Sequence, residues 1–564
     1  MKKIKNIVAV FAIVPALLLS SCSKEYLDRT PTTALDTDLV LNNADMIPST
    51  VVGTMRMMYS AGFGGRTATV IGDIMTDLIT SVRGSNGSYK DMEEWNINQS
   101  TGDVESIYAA CFQIAAAAAR TVEAAQRKLN SSSALTTAQE NNLKSAIAAS
   151  LTIKAYVEYF ATQYFCVDVN IDNSKYPYLL NDDGAAKYQI PGNHPDRKVG
   201  IMILDNKPLG LSEPANIYTL DSTYKFLERE IQDAINYFNE SGSKNFTLAG
   251  EARYFPTLCA AYMVQARIFL AQHKYEEAVT AADNALANLG SAKADLISTA
   301  DELLGAYGDA LSSEDVWSLN YTTQDNLSAN SLQNLFSSYG FNPSTYAISL
   351  FSKSDIRVNL YYDGTTRKLP SEQKSYCLKY PNENAVFNVP LLRVPEIYLV
   401  KAEALAGMEG GSHLQQAKEA LFMVLGARDT AITDIATMES NYPMGDQKEL
   451  MQTILDENAR EFLCEGHRWF DLRRNGKRLT REGSSENNRF PTHFTGYPLA
   501  TFAFPIPYGE TSTEQWKKGR GILDNGTKDS ENWQNNAWDE RQGDNFAPTV
   551  TIPVDGGEYT KQPN

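Results

Sequence analysis

Between Arg460 and Arg474 the chain reads REFLCEGHRWFDLRR. Within it His467 and Asp471 stand one helical turn apart, and Glu457, Glu461 and Glu465 lie close by. An imidazole beside a carboxylate is a layout that suits general acid–base catalysis. The same residues also suit architecture, because buried charges must be partnered. Glu461, Glu465, Arg468, Asp471 and Arg473 can then satisfy one another around a buried aromatic pair, Trp469 and Phe470. Spacing alone points to this second reading, a structural lock.

The elements that position the segment follow from periodicity. Asp446 caps a helix with Glu449 reaching back, and Leu450, Ile454, Leu455, Phe462 and Leu463 form one apolar stripe. Gly466 interrupts helix propensity beyond it. Helical pairs recur upstream: 103–128 with 139–165, then 221–238 with a helix starting near Tyr254. Tyr262, Ala266, Phe269, Tyr275, Ala278 and Ala285 have tetratricopeptide spacing, with small residues where two antiparallel helices approach. Residues 395–408 and 414–427, joined by Gly410 and Gly411, form another hairpin. The predicted fold is mainly α: a tetratricopeptide-like scaffold of helical pairs, with long irregular loops and a few short strands. No Gly/Ser-rich or Pro-rich linker divides it, so residues 38–564 read as a single binding domain.

The N-terminus addresses location. Lys2, Lys3 and Lys5 precede an apolar run from Ile7 to Leu19, too short for a membrane span of about 20 residues. Residues 1–21 therefore read as a signal peptide. Leu19-Ser20-Ser21-Cys22 has the small-residue approach to a cysteine that marks bacterial lipoprotein processing. Cys22 is the expected lipidation site, carrying a thioether lipid and an N-acyl chain such as palmitate, and residues 22–37 are a polar tether. The formal charge of −17 falls by three, to −20, once the three signal lysines leave, and no lysine-rich block argues for nucleic acid. Cys111, Cys166, Cys259, Cys377 and Cys464 lack the spacing of a disulfide framework or zinc motif and read as small core residues.

REFLCEGHRWFDLRR resembles the C-terminal signature of the SusD/RagB family, the nutrient-binding outer-membrane lipoproteins of the Bacteroidetes. The segment PLLRVPEIYLVKAEA at 390–404 is similar to that family's arginine-led helix, and Phe504-Pro505-Ile506-Pro507 to its proline strand. Ser354-Asp355-Ile356-Arg357 resembles a further family segment. The resemblance implies a lipid-anchored protein on the outer membrane, exposed at the cell surface. It also implies a partner, a SusC-like TonB-dependent transporter that receives the captured ligand.

Long irregular segments in a compact protein are usually functional, and three stand out: 62–100, 167–218 and 290–369. The resemblance puts the ligand site largely on the first and on loops near the third. A sugar surface needs an aromatic face and planar or charged groups that make paired hydrogen bonds. Trp95 with Arg83, Asn98 and Asp73 meets that requirement, and Tyr321 can contribute from the third segment. The alternatives are that Asp73 and Asp77 are helix-associated polar residues and that Trp95 is core; Trp317 reads as strand core. Trp533 and Trp538 lie in an Asn/Asp-rich tail that lacks EF-hand spacing, so no metal and no cofactor is expected. Nucleophile-elbow, zincin, phosphate-loop and dinucleotide motifs are all missing from the sequence. Three classes stay open: oligosaccharide capture without catalysis comes first, then peptide capture of the same kind. A lipid-anchored glycoside hydrolase is third, because two suitably spaced carboxylates are enough for that chemistry.

Overall fold

The structure, a computed structural model, describes residues 37–81, 85–131, 134–170, 199–203, 217–246, 248, 251–308, 310–322, 325–361, 377–380, 387–481, 492–512, 522–524, 527–528, 552–554 and 557–563. The signal peptide, Cys22, most of the tether, Arg83, most of 167–218, Trp533 and Trp538 lie outside the described residues.

Two short helices, α1 (Ser49–Met58) and α2 (Thr67–Ile74), precede the first long hairpin, α3 (Gly102–Leu129) and α4 (Thr137–Phe165). The sequence placed both long helices within two residues of these bounds. Thr136 and Gln139 start α4 with a full capping box. From Ser145 onward every residue of α4 is buried, so it is the central post rather than an amphipathic surface helix. Its polar residues are answered internally: Lys154 pairs with both Glu158 and Glu230, all three within 2% of full burial. Glu230 belongs to α5 (Leu220–Glu240), which packs against α4.

The tetratricopeptide hairpin is α6 (Leu258–Ala271) and α7 (Tyr275–Leu286), and the next is α8 (Val394–Gly407) and α9 (Leu414–Arg428). Ala266, Leu270, Ala278, Ala281, Val400 and Ala404 form a small core of their own where α6, α7 and α8 meet. Alanines there let the three backbones approach, as the small-residue spacing predicts. Then come α10 (Gln447–Glu461) and α11 (Arg468–Arg474), joined by the turn that holds Gly466.

Four short strands complete what positions the site: β1 (Ile79–Ser81), β2 (Asp315–Leu319), β3 (Phe341–Pro343) and β4 (Val389–Arg393). β1 pairs antiparallel with β3, and β2 with β4. Trp317 is fully buried on β2, as strand core. Phe504–Pro507 is no strand, because prolines at 505 and 507 cannot donate to a ladder. It is an extended run whose Phe504 N–H donates to Tyr164 O at 2.7 Å, while its ring stacks on Tyr164. The five cysteines after Cys22 are all buried free thiols.

Candidate functional site

α10 begins as its sequence requires. Asp446 accepts from Glu449 N–H at 2.8 Å, while the Glu449 carboxylate reaches one residue further than expected, to Gly445 N–H. The stripe Leu450, Ile454, Leu455, Phe462 and Leu463 is buried. Glu461, Glu465, Arg468, Asp471 and Arg473 do not satisfy one another, however. Glu461 sits among Arg357, Arg393 and Arg428 at 3.0, 2.7 and 3.0 Å, and Glu465 binds Lys379 and Arg393. Arg468 makes a fork with Asp77, Nε and Nη2 to the two oxygens at 2.9 and 3.0 Å. Asp471 is held by Arg474, which also pairs with Glu403 on α8. Arg473 has no carboxylate partner among the described residues and donates to the carbonyls of Gln163 and Cys166. The lock is thus a clamp between distant segments.

This geometry removes the residues of the catalytic reading. His467 lies flat on Phe462, with ring centroids 4.1 Å apart, and burial with the surrounding cations holds it well below the usual histidine range. The link from Asp471 to His467 is a backbone bond, Asp471 N–H to His467 O. Burial pushes the Asp471 carboxyl up to about 6, against the pull of Arg474. The cavity that His467, Glu465 and Arg267 line has a volume of about 40 Å³. A water needs roughly 10–15 Å³ on that measure, so there is room for a few waters and none for a sugar ring.

Among the described residues, the predicted ligand residues Asp73, Trp95, Asn98 and Tyr321 are not brought together as a surface. Asp73 is fully buried on α2, where its carboxylate accepts from the N–H groups of Cys464, Gly466 and Arg468 at 2.9, 3.1 and 3.2 Å. Burial pushes it up to about 7, against those three amides. It belongs to the lock, its two oxygens taken up by three converging backbone donors. Trp95 is 3% exposed, donates from Nε1 to Met75 O at 3.0 Å, and packs against Trp469 and Phe502. Its indole is core and offers no face to a ligand. Tyr321 is buried, its ring against Tyr59 and its hydroxyl donating to Tyr59 O at 2.9 Å. Asn98 is exposed and accepts from Ser100 N–H, as a turn residue.

A different set of residues meets the requirement. The β1–β3 ladder, with Ser81 opposite Phe341, brings the first and third irregular segments side by side, and Asn86 N–H donates to Tyr339 O. Arg66 lies between two tyrosines, 5.0 Å from the Tyr89 ring and 5.4 Å from that of Tyr339. Its Nη1 donates to Asn330 Oδ1 at 3.2 Å. Tyr89 has φ +54 and is fixed by a bond between its hydroxyl and Thr67. Burial pushes that phenol up to about 12. Tyr339 is half-buried, while Asn86 and Asn330 are exposed beside it. The result is an aromatic face backed by a guanidinium and flanked by two planar amides, the arrangement that a sugar surface requires. Gly65 allows the approach: a Cβ there would fall 2.3 Å from Tyr59 O and 2.5 Å from Leu327. The run Gly62-Phe63-Gly64-Gly65-Arg66 was the available signal, an arginine presented by glycines.

Comparison with known proteins agrees with this architecture. Residues 333–564 match the model of the SusD family. A SusD-like protein, P38, of Formosa agariphila is 36% identical over 93 residues, which cover 16% of this chain and 17% of that relative. A SusD superfamily protein from Bacteroides vulgatus has the same fold at 19% identity, with a TM-score of 0.64 over 86% of this chain and all of that one. A SusD-like carbohydrate binding protein from the same species matches with a TM-score of 0.61 and 15% identity, over 78% of this chain and 86% of that one. Among the described residues no helix is long and apolar enough to cross a membrane, and no cluster of three metal-ligating side chains occurs.

Proposed function

We propose that this chain, a SusD-family protein by its residues 333–564 and by its fold, captures an oligosaccharide at the cell surface and passes it to a SusC-like TonB-dependent transporter. The observation that carries the glycan reading is the patch of Tyr339, Arg66, Asn330 and Asn86. A sugar's C–H face stacks on the ring, and its hydroxyls meet the amides. A related fold bears the name of a carbohydrate binding protein, which ranks glycan above peptide. Binding without hydrolysis is the role this patch suits, since its groups orient a ligand and transfer no proton.

In the same proposal, residues 1–21 are removed, Cys22 carries the lipid, residues 22–37 tether, and 38–564 bind. A polar tether of this length keeps the binding domain at high local concentration over a pore. The test is a glycan panel titrated calorimetrically against the protein lacking residues 1–22, beside Tyr339→Ala and Asn330→Ala. Both variants should lose at least tenfold in affinity at unchanged melting temperature. Undiminished binding in both moves the site elsewhere, turnover of the glycan makes the protein an enzyme, and retention of peptides alone selects the second class.

A further inference from the structure

A groove of about 480 Å³ runs along α3, on the side where the turn at 507–510 and Met202 close over it. That volume lies within the range of small-molecule sites, about 300–1,000 Å³. Its floor is Tyr108 and Phe112, ring centroids 4.4 Å apart, and Met202 and Pro507 supply further apolar wall. Its polar end is acidic. Glu510 and Glu105 both line it, and a Cβ on Gly509 would stand 3.0 Å from Glu105 Oε1. Neither carboxylate forms an ion pair among the described residues.

Tyr108 gives the independent observation. It is 6% exposed, and its hydroxyl has no hydrogen-bond partner among the described residues. Burial and then the nearby Glu510 charge push that phenol up, and both residues line the groove. Burial pushes Glu510 up as well, with no cation to offset it. Arg120 lines the same groove but stands ~18 Å along α3 from Tyr108 by helical rise, too far to neutralise the acidic end.

We propose that this groove binds an organic cation: an ammonium group on a compact apolar body. The ammonium donates to Glu510 and to the Tyr108 hydroxyl, while the apolar body lies on the Tyr108–Phe112 floor, where an aromatic face also attracts cations. This site is separate from the patch around Tyr339 and does not depend on the glycan reading.

The probes are benzylamine and its neutral counterpart benzyl alcohol, each titrated into the protein lacking residues 1–22 and followed by ligand-observed NMR. Benzylamine should bind saturably and at least fivefold more tightly than the alcohol. Glu510→Gln should remove that preference, and Tyr108→Phe should reduce it with the aromatic floor kept. Glu140→Gln, an exposed acid on α4, should change nothing. Equal affinity for amine and alcohol, an undiminished preference in both groove variants, an equal loss in the Glu140 variant, or no saturable amine binding each overturn the proposal. If Glu510→Gln does not fold, Tyr108→Phe decides alone.

Discussion

Truncating Trp95 tests the placement of the first irregular segment most directly. The indole is almost wholly buried and caged by Trp469 and Phe502, at centroid distances of 5.9 and 4.9 Å. Large-to-small changes at such sites cost about 3–5 kcal/mol. Losing the Nε1–H donor also strips Met75 O of its partner, about 1 kcal/mol more. Trp95→Ala should therefore lose about 4–6 kcal/mol. The backbone adds a sharper test, because Trp95 has φ +57, in the left-handed region. That conformation costs a residue with a Cβ about 1–2 kcal/mol and costs glycine almost nothing. Glycine is ordinarily the worse replacement, yet here Trp95→Gly should be at least as stable as Trp95→Ala. Urea unfolding followed by circular dichroism measures all three proteins, with glycan titration alongside. Wild-type stability with lost glycan binding would restore Trp95 as a ligand platform. A glycine variant clearly below the alanine variant would refute the backbone argument.

Gly466→Ala should destabilise by more than ~2 kcal/mol, because φ is +79 and the new Cβ would lie 2.5 Å from Thr69 O; a thermal melt equal to wild type rejects that close packing. Burial pushes Glu461 up, but Arg428, Arg393 and Arg357 outweigh it and hold it well below the usual carboxylate range. Its folded pKa lies below the unfolded one, so its stabilisation is full above about pH 4.5 and is lost as pH falls further. Melting temperature against pH should show this acid loss in wild type and a flatter limb in Glu461→Gln. Cys22→Ala should leave the fold intact and release the protein from the membrane fraction; sedimentation with outer membranes in a strain lacking the transporter defeats the lipid-anchor reading.

The helices were legible because their signals are local. A cap such as Asp446 and the stripe on α10 act over a few residues to a few turns, and the described helix follows them closely. The lock was legible as a lock, but its partners were not. Asp77 and Arg468 are 391 positions apart, and nothing in REFLCEGHRWFDLRR says that its carboxylates await arginines from 357, 393 and 428. Trp95 and Asp73 were misplaced for the same reason. A tryptophan or aspartate in a polar loop looks available until its cage is supplied from elsewhere, here by Trp469, Phe502 and the amides of 464–468. The Tyr339 patch was hidden because Arg66 and Tyr339 meet only through the pairing of two three-residue strands.

The clamp also fixes an order of assembly. Arg357, Arg393 and Arg428 are synthesised well before Glu457, Glu461 and Glu465, and each is almost wholly sealed from solvent in the finished protein. A nascent chain that ends before Gln447 has Asp355 and Glu314 for these three guanidinium groups but lacks Glu457, Glu461 and Glu465, so their burial is only partly compensated. The amides of 464–468 must likewise arrive before Asp73 has its donors. Final compaction therefore waits for residues 447–474, and a truncation that removes them takes the clamp with it.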